Sequence, residues 1–254
     1  MSITVCLQAV ELLPKNFLNT HYGTTHNQKF IKQPSSDTKP SDQNYFESQS
    51  SNKINKVVQK KKEKYIQVMV PIVTIVYKKL QAQYESVKRD IESGKNQNYI
   101  TTLKKQYKAK TDQLLLQALK PHPISIVLAQ GAVESAWLDS RFAKSANNVF
   151  GVWSFDTKEP RIEASDQRGK KNVYLKQYKT LKAAVEDYYL RIAKSWAYKK
   201  FRYLRTQTNN PFILLPHLQK YSEKREKYTK LLENMIRANN FDRYDINETT
   251  RKRS

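Results

Sequence analysis

Apolar side chains recur at helical spacing over residues 57–91, and this pattern predicts a long amphipathic helix. The repeating positions are Ile72, Val76, Leu80, Tyr84, Val87 and Ile91. Pro71 would either kink this helix or begin a second one, and Ser93 and Gly94 end it. By contrast, residues 20–55 are crowded with small polar side chains and prolines, which predicts an unstructured segment.

Two more helices are predicted before the middle of the chain. The first runs from about Tyr99 to Leu119 and ends at the Pro-His-Pro sequence of residues 121–123. The second begins near Ile124 and ends near Leu138. Residues 139–148 read as a loop or a short helix.

Residues 149–178 contain the most strand-like sequence of the chain. VFGVWSF and NVYLKQY flank a polar stretch, which predicts a small hairpin or three short strands. Helical spacing returns at Thr180, and further helices are predicted from Pro211 to Gln219 and from Glu223 to Asn239.

This order predicts a mainly α fold of the α+β, lysozyme-like kind. A helical lobe and a small β-hairpin lobe would flank a catalytic cleft, an analogy of architecture that does not by itself establish function. The predicted organisation is an N-terminal disordered or weakly ordered segment of residues 1–55, one domain over 56–245 and a frayed tail at 246–254.

The charge is strongly positive, with 46 Lys and Arg against 23 Asp and Glu, and nearly all of the excess lies beyond residue 55. Such a domain is attracted to polyanions: nucleic acid, anionic lipid or an anionic cell wall. The chain contains no RNP, helix-turn-helix or zinc-finger pattern, so a nucleic-acid partner is not expected.

Few residues could bind a metal. Cys6 is the single cysteine, and no two of the four histidines have helical metal-ligand spacing, so neither a metal nor a cofactor is expected. The longest apolar run, residues 66–77, is interrupted by polar residues and predicts no integral membrane segment. The first residues form no clear secretion signal.

Glu134 is the candidate for chemistry. It is the only charged residue between Ile124 and Trp137, and burial in an apolar helix raises a carboxyl pKa, as a general acid requires. Trp137 could wall the site, and Gly131 could leave room for a substrate. The alternative is a structural Glu that caps a loop amide or pairs with Arg141.

The sequence around Glu134, AQGAVESAW…SRFAKSANNVFG, carries a more specific signal. It resembles the pattern AQ-x-x-x-ES-x-W…S-x-FA…NN-x-FG of bacterial glucosaminidases of the Bax and FlgJ type, in glycoside hydrolase family 73. The matching positions are Ala129, Gln130, Glu134, Ser135, Trp137, Ser140, Phe142, Ala143, Asn147, Asn148, Phe150 and Gly151. The resemblance covers about residues 56–240.

The resemblance implies an endo-β-N-acetylglucosaminidase acting on peptidoglycan glycan strands and a location in the cell envelope. A monomer is also expected. The resemblance also implies that Glu134 is the general acid and that Tyr221 assists it. The second carboxylate is expected to be Glu163, with Asp166 as the next choice. Alternatively, the N-acetyl group of the substrate serves as the nucleophile.

The substrate-binding candidates are Trp137, Asn148, Phe150, Trp153 and Asp166. Core packing is the competing interpretation for the aromatic members of this set. Two other functions stay open: a muramidase or lytic transglycosylase on the same polymer, and a basic protein that binds cell wall or another polyanion without cutting it.

Overall fold

The computed structural model describes residues 42–164 and 172–246, with side chains from residue 55 onward. The helices are α1 (Asp42–Glu92), α2 (Gln97–Tyr107), α3 (Asp112–Leu119), α4 (Ile124–Ser135), α5 (Arg141–Ala146), α6 (Leu181–Lys194), α7 (Lys199–Arg205), α8 (Pro211–Leu214) and α9 (Glu226–Asn239). The strands are β1 (Trp153–Ser154), β2 (Arg161–Glu163) and β3 (Tyr174–Lys176). Short 3₁₀ helices cover Trp196–Tyr198, Leu215–Tyr221 and Phe241–Tyr244. The predicted mainly α fold with a small β lobe is confirmed.

Helix α1 is longer than the sequence predicts. It begins at Asp42, so the expectation of unstructured chain is wrong for residues 42–55. Helix propagation adds a backbone hydrogen bond per residue, so a polar sequence can extend a helix that is stabilised further along. The helix also continues through Pro71, which is exposed.

The predicted helix over residues 99–119 is in fact two helices. Lys108 adopts a left-handed conformation with φ of 55° and ends α2. The Thr111 side chain then accepts a hydrogen bond from the Leu114 amide and begins α3. Similarly, the helix predicted over 211–219 is the short α8 followed by a 3₁₀ helix, and α9 begins at Glu226 rather than Glu223.

The β lobe is a three-stranded antiparallel sheet in the order β1-β3-β2. Leu175 at its centre is buried and pairs with both Trp153 and Ile162. Three short strands are one of the two arrangements that the sequence allows. The short helix α5 likewise falls within residues 139–148, as predicted.

Helix α4 lies in the middle of the helical lobe. It packs against α1 and α9 and against the 3₁₀ helix at Phe241–Tyr244. Nearly every side chain of α4 is buried, so its position is set by contacts on several sides. Glu134 stands one residue before the end of α4, so these contacts also fix the backbone that carries it. The predicted domain boundaries stay predictions.

Candidate active site

The chain turns sharply just after Glu134. Ala136, Trp137 and Leu138 have φ angles of 50°, 62° and 66°, three successive non-glycine residues in the left-handed region. Such a conformation costs roughly 1–2 kcal/mol for each residue with a β-carbon. The helix therefore ends at Ser135, earlier than the predicted Leu138, and backbone strain of this kind is concentrated at functional sites.

The Ser135 hydroxyl stabilises this turn. It donates to the Gly131 carbonyl at 2.5 Å and accepts from the Leu138 amide at 2.9 Å. The Trp137 amide donates to the Ala132 carbonyl at 3.0 Å, which fixes the same loop. The serine of the Glu-Ser pair thus holds the backbone on which Glu134 is mounted.

The Glu134 carboxyl keeps its proton to a higher pH than an ordinary glutamate does. Burial raises its pKa from an ordinary value of 4.5 to about 7, and a hydrogen bond from Tyr228 opposes this rise. The residue is only partly exposed at the protein surface. A carboxyl group with this pKa is protonated in a large fraction of molecules near neutral pH. Arg141, the alternative partner, donates Nη2 to the Glu163 backbone carbonyl at 2.6 Å.

The tyrosine that contacts Glu134 is Tyr228. Its hydroxyl donates to Glu134 Oε1 at 2.9 Å. The hydroxyl of Tyr221 donates instead to the Phe150 carbonyl at 3.2 Å, although its ring stacks on Tyr228 with an interplanar angle of 3°. Tyr221 therefore packs against the tyrosine that contacts the carboxyl, and its expected catalytic role stays a prediction. The sequence pattern did not single out Tyr228, because a tyrosine on a helix is most often a packing residue.

Several of the expected substrate-binding residues contact the protein interior. Trp137 is buried, and its ring meets Tyr65 edge to face at 5.4 Å. The Asn148 side chain bonds the backbone of Val152 and the Lys176 carbonyl, so it joins the loop after α5 to the β lobe. Phe150 is buried and stacks on Tyr188. A role in substrate binding stays a prediction for these three residues.

Gly131 does not leave room for a substrate. A β-carbon at this position would lie 2.5 Å from Tyr65 Oη and 3.2 Å from a methyl group of Val149. The absence of a side chain instead allows α1 to approach α4, and the Tyr65 hydroxyl donates to the Leu128 carbonyl at 2.7 Å. The expectation for Gly131 was wrong because the packing partner comes from a distant part of the chain.

The β-lobe candidates lie on the sheet or beyond the described ranges. Glu163 is exposed at the end of β2, opposite Tyr174 of β3. Trp153 is half-buried on β1, with its ring 6.0 Å from that of Phe155. Asp166 lies outside the described residues. The roles of these three residues stay predictions.

A pocket of about 820 Å³ lies near the site, although Glu134 and Tyr228 themselves are not among the residues that line it. Tyr198 and Tyr221 line it, and both lie close enough to Glu134 for its charge to raise their pKa. Two strongly exposed aromatic side chains also line it: Phe155, 73% exposed, and Trp196, 76% exposed. Neither was assigned to the site from sequence, because exposure of an aromatic side chain is not visible in a local pattern.

The pocket lining is rich in positive charge. Its charged residues are Lys108, Asp187, Arg191, Lys194, Lys199, Arg202 and Lys220. The one carboxylate among them, Asp187, is paired with Arg191 at 2.8 Å. An anionic or acid-substituted ligand would therefore be attracted to this pocket.

One known protein family matches just over half of the chain. The family model described as Glucosaminidase, mannosyl-glycoprotein endo-beta-N-acetylglucosaminidase, matches residues 113–241. The chain belongs to this family. The matched segment of the glucosaminidase domain begins in α3 and includes Glu134, Tyr228 and the β lobe. It supports assignment of the protein to the glycoside hydrolases.

Solved structures similar to this glucosaminidase domain include three bacterial proteins. The catalytic domain of the autolysin Auto from Listeria monocytogenes is 22% identical, with a TM-score of 0.42, covering 59% of this chain and 86% of that one. A peptidoglycan hydrolase from Sphingomonas sp. A1 is 20% identical, with a TM-score of 0.40 and coverages of 50% and 86%. A glycoside hydrolase domain of Salmonella typhimurium FlgJ is 19% identical, with a TM-score of 0.37 and coverages of 56% and 95%. The search of curated proteins found no match.

Within the described ranges, the helices are all too short or too polar to cross a bilayer.

Proposed function

We propose that this protein is an endo-β-N-acetylglucosaminidase that hydrolyses β-1,4 glycosidic bonds in peptidoglycan, with Glu134 as the general acid. The observation that carries the proposal is the Glu134 carboxyl itself. Its pKa is raised to about 7 by burial, and one of its oxygens is fixed by Tyr228. Membership in the glucosaminidase family supports the choice of bond, and the basic pocket beside Glu134 suits a polymer that carries carboxylates.

In the proposed reaction, Glu134 transfers its proton to the glycosidic oxygen as the bond to the leaving sugar breaks. The positive charge that develops on the sugar ring then needs a partner. Glu163 is our candidate, either as a base that activates water or as a nucleophile. The acetamido oxygen of the substrate is the alternative, and it would leave Glu134 as the only essential carboxylate.

We further propose that the pocket beside Glu134 holds part of the glycan strand. Exposed aromatic rings provide flat apolar surfaces for pyranose rings, and Trp196 and Phe155 are the most exposed aromatic side chains of the described residues. One face of Trp196 is covered by the Lys220 ammonium group at 4.4 Å, so a sugar would stack on the opposite face. The surrounding cations suit the carboxylates of the peptide stems of peptidoglycan.

This function also predicts where the protein acts. A hydrolase of peptidoglycan has its substrate in the cell envelope, so we infer a periplasmic or exported location. We expect a monomer, since the described part of the chain supplies both Glu134 and the pocket beside it.

The experiment is digestion of purified peptidoglycan by the full-length protein, borohydride reduction of the products and mass spectrometry. N-acetylglucosaminitol ends are expected from the wild type, and Glu134→Gln should lower their rate of formation at least about 100-fold. Glu233→Gln is the matched control, because Glu233 pairs with Arg237 on the outer side of α9. It should keep wild-type activity.

The same product analysis tests the alternatives. Reduced muramitol ends would show a muramidase, and anhydro-muramyl ends would show a lytic transglycosylase. Binding to peptidoglycan without any soluble product, from wild type and variant alike, would overturn the enzymatic proposal and leave a non-catalytic wall-binding protein.

A further inference from the structure

A series of hydrogen bonds, called here the Arg205 relay, leads from Glu134 into the interior of the protein. Its members are buried polar side chains from α4, α6, α7 and α9 and from the loop before α4. In order they are Arg205, His122, Tyr188, Gln130 and Tyr228, and the relay ends at Glu134. The five side chains before Glu134 are each at most 3% exposed. Polar side chains buried to this degree are costly unless they are hydrogen-bonded. Each of these five has at least one hydrogen-bond partner, although Arg205 Nε has none.

The direction in which the relay donates its hydrogen bonds is fixed at its inner end. A guanidinium group can only donate hydrogen bonds, so Arg205 Nη1 donates to His122 Nδ1 at 3.4 Å. Burial and the charge of Arg205 both lower the pKa of His122 well below its ordinary value, which keeps the ring neutral. A neutral ring that accepts at Nδ1 carries its proton on Nε2. His122 therefore donates to Tyr188 Oη at 2.9 Å.

Each later bond inherits this direction. The Tyr188 hydroxyl accepts from His122, so its own proton goes to Gln130 Oε1 at 2.5 Å. This sets the orientation of the Gln130 amide, whose Nε2 donates to Tyr228 Oη at 3.0 Å. The Tyr228 proton can then only point at Glu134 Oε1, 2.9 Å away. Every hydrogen bond of the relay is therefore donated toward the Glu134 carboxyl.

Further contacts hold the side chains of the relay in place. Arg205 Nη2 donates to the carbonyls of Gln117 and Ala118, both at 2.9 Å, where α3 ends. The negative end of a helix dipole lies there, which favours a cation. At the other end, the rings of Tyr188 and Tyr228 stack on Phe150 and Tyr221 respectively.

We infer that this relay from Arg205 to Tyr228 sets which oxygen of Glu134 carries the acidic proton. Oε1 is kept as a hydrogen-bond acceptor, so the proton that Glu134 can transfer resides on Oε2. Arg205, His122, Tyr188 and Gln130 are positioning residues, because they act on Glu134 only through Tyr228. The inference rests on the proposed function for the use of that proton, and on geometry alone for its location.

The relay also favours the charged form of the carboxyl. A hydrogen bond donated to a carboxylate lowers its pKa, and Tyr228 has this effect on Glu134. The other titratable groups near Glu134 are Tyr188, Tyr198 and Tyr221, whose own pKa values Glu134 raises. None of these three tyrosines is charged near neutral pH. The hydrogen bond from Tyr228 is therefore the effect that opposes the rise in the Glu134 pKa caused by burial.

The test is the pKa of Glu134, measured by NMR of the side-chain carboxyl carbon in ¹³C-labelled protein and assigned with Glu134→Gln. Tyr228→Phe should raise this pKa by about one unit, since it removes the hydrogen bond to the charged form. Tyr188→Phe should raise it by a smaller amount, because the Gln130 amide loses the bond that orients it. Tyr189→Phe is the matched control: it removes a buried hydroxyl from the next position of α6, one that donates to the His122 carbonyl at 3.2 Å.

The inference is overturned if Tyr188→Phe moves the pKa of Glu134 no further than Tyr189→Phe does. A second readout on the wild type does not depend on any variant folding. ¹⁵N NMR of the His122 ring should show a neutral imidazole protonated at Nε2, and a proton at Nδ1 would reverse the direction of the relay and contradict it. Both measurements use protein without substrate, so loss of the proposed activity and loss of the relay are separate outcomes.

Discussion

The Tyr228 hydroxyl donates a hydrogen bond to Glu134 Oε1 over 2.9 Å, and the two residues are 94 positions apart in the chain. This contact joins α9 to the last turn of α4. It also explains why the Glu134 pKa is not raised further in such an apolar setting, because desolvation raises this pKa and the hydrogen bond from Tyr228 lowers it. Together the two effects leave the Glu134 pKa at about 7. A general acid is most effective when its pKa lies near the working pH.

The first prediction concerns the pH dependence of activity. In the proposed reaction Glu134 donates a proton, so kcat/KM should fall above about pH 7 as the carboxyl ionises. Tyr228→Phe should move this falling limb to higher pH, because the pKa rises when the hydrogen bond is lost. Initial rates on soluble peptidoglycan fragments from pH 5 to 9 measure it, and a limb that moves to lower pH would contradict the role assigned to Tyr228.

The second prediction concerns stability. An acid whose pKa is raised in the folded state binds more protons folded than unfolded between about pH 4.5 and 7, so the free energy of unfolding falls as pH rises through this range. Glu134→Gln removes that cost and should stabilise the protein by about 1–3 kcal/mol at pH 8. Urea unfolding of wild type and variant at pH 8 and at pH 4 tests this. The gain should disappear at pH 4, and an equal gain at both pH values would refute the explanation.

The third prediction concerns the pocket. Trp196→Ala should raise KM for a glycan substrate about tenfold while kcat changes less, because the ring is expected to bind sugar away from the reacting bond. Phe155→Ala should act in the same direction. Ile213 is a suitable control because it is 52% exposed and lies outside the pocket lining. If Ile213→Ala raises KM as much as Trp196→Ala does, the pocket is not the glycan site.

The fourth prediction concerns the close approach of α1 and α4. Gly131→Ala would place a β-carbon 2.5 Å from Tyr65 Oη, so it should destabilise the fold by roughly 1–3 kcal/mol. Tyr65→Phe removes the clashing oxygen along with its bond to Leu128. In a double-mutant cycle by thermal unfolding, the two substitutions together should cost less than the sum of each alone. Strict additivity would show that the clash is not the cause.

The sequence by itself determined much of the framework. Helical spacing located α4, α6 and α9, since the period of apolar positions is a local property. The strand-like segments around Trp153 and Tyr174 were found in the same way. Glu134 could also be singled out, because one charged residue in an apolar helix is visible without knowing what surrounds it.

Only the tertiary structure decided which groups meet Glu134. The chain has 16 tyrosines, and no local pattern separates Tyr228 from Tyr221. The choice depends on how α9 packs against α4, and the Arg205 relay depends on four helices meeting at one place. Gly131 carries the same lesson, since its role is set by Tyr65, a residue 66 positions earlier. Local propensity specifies elements, whereas the environment of a side chain is specified by contacts that are distant in sequence.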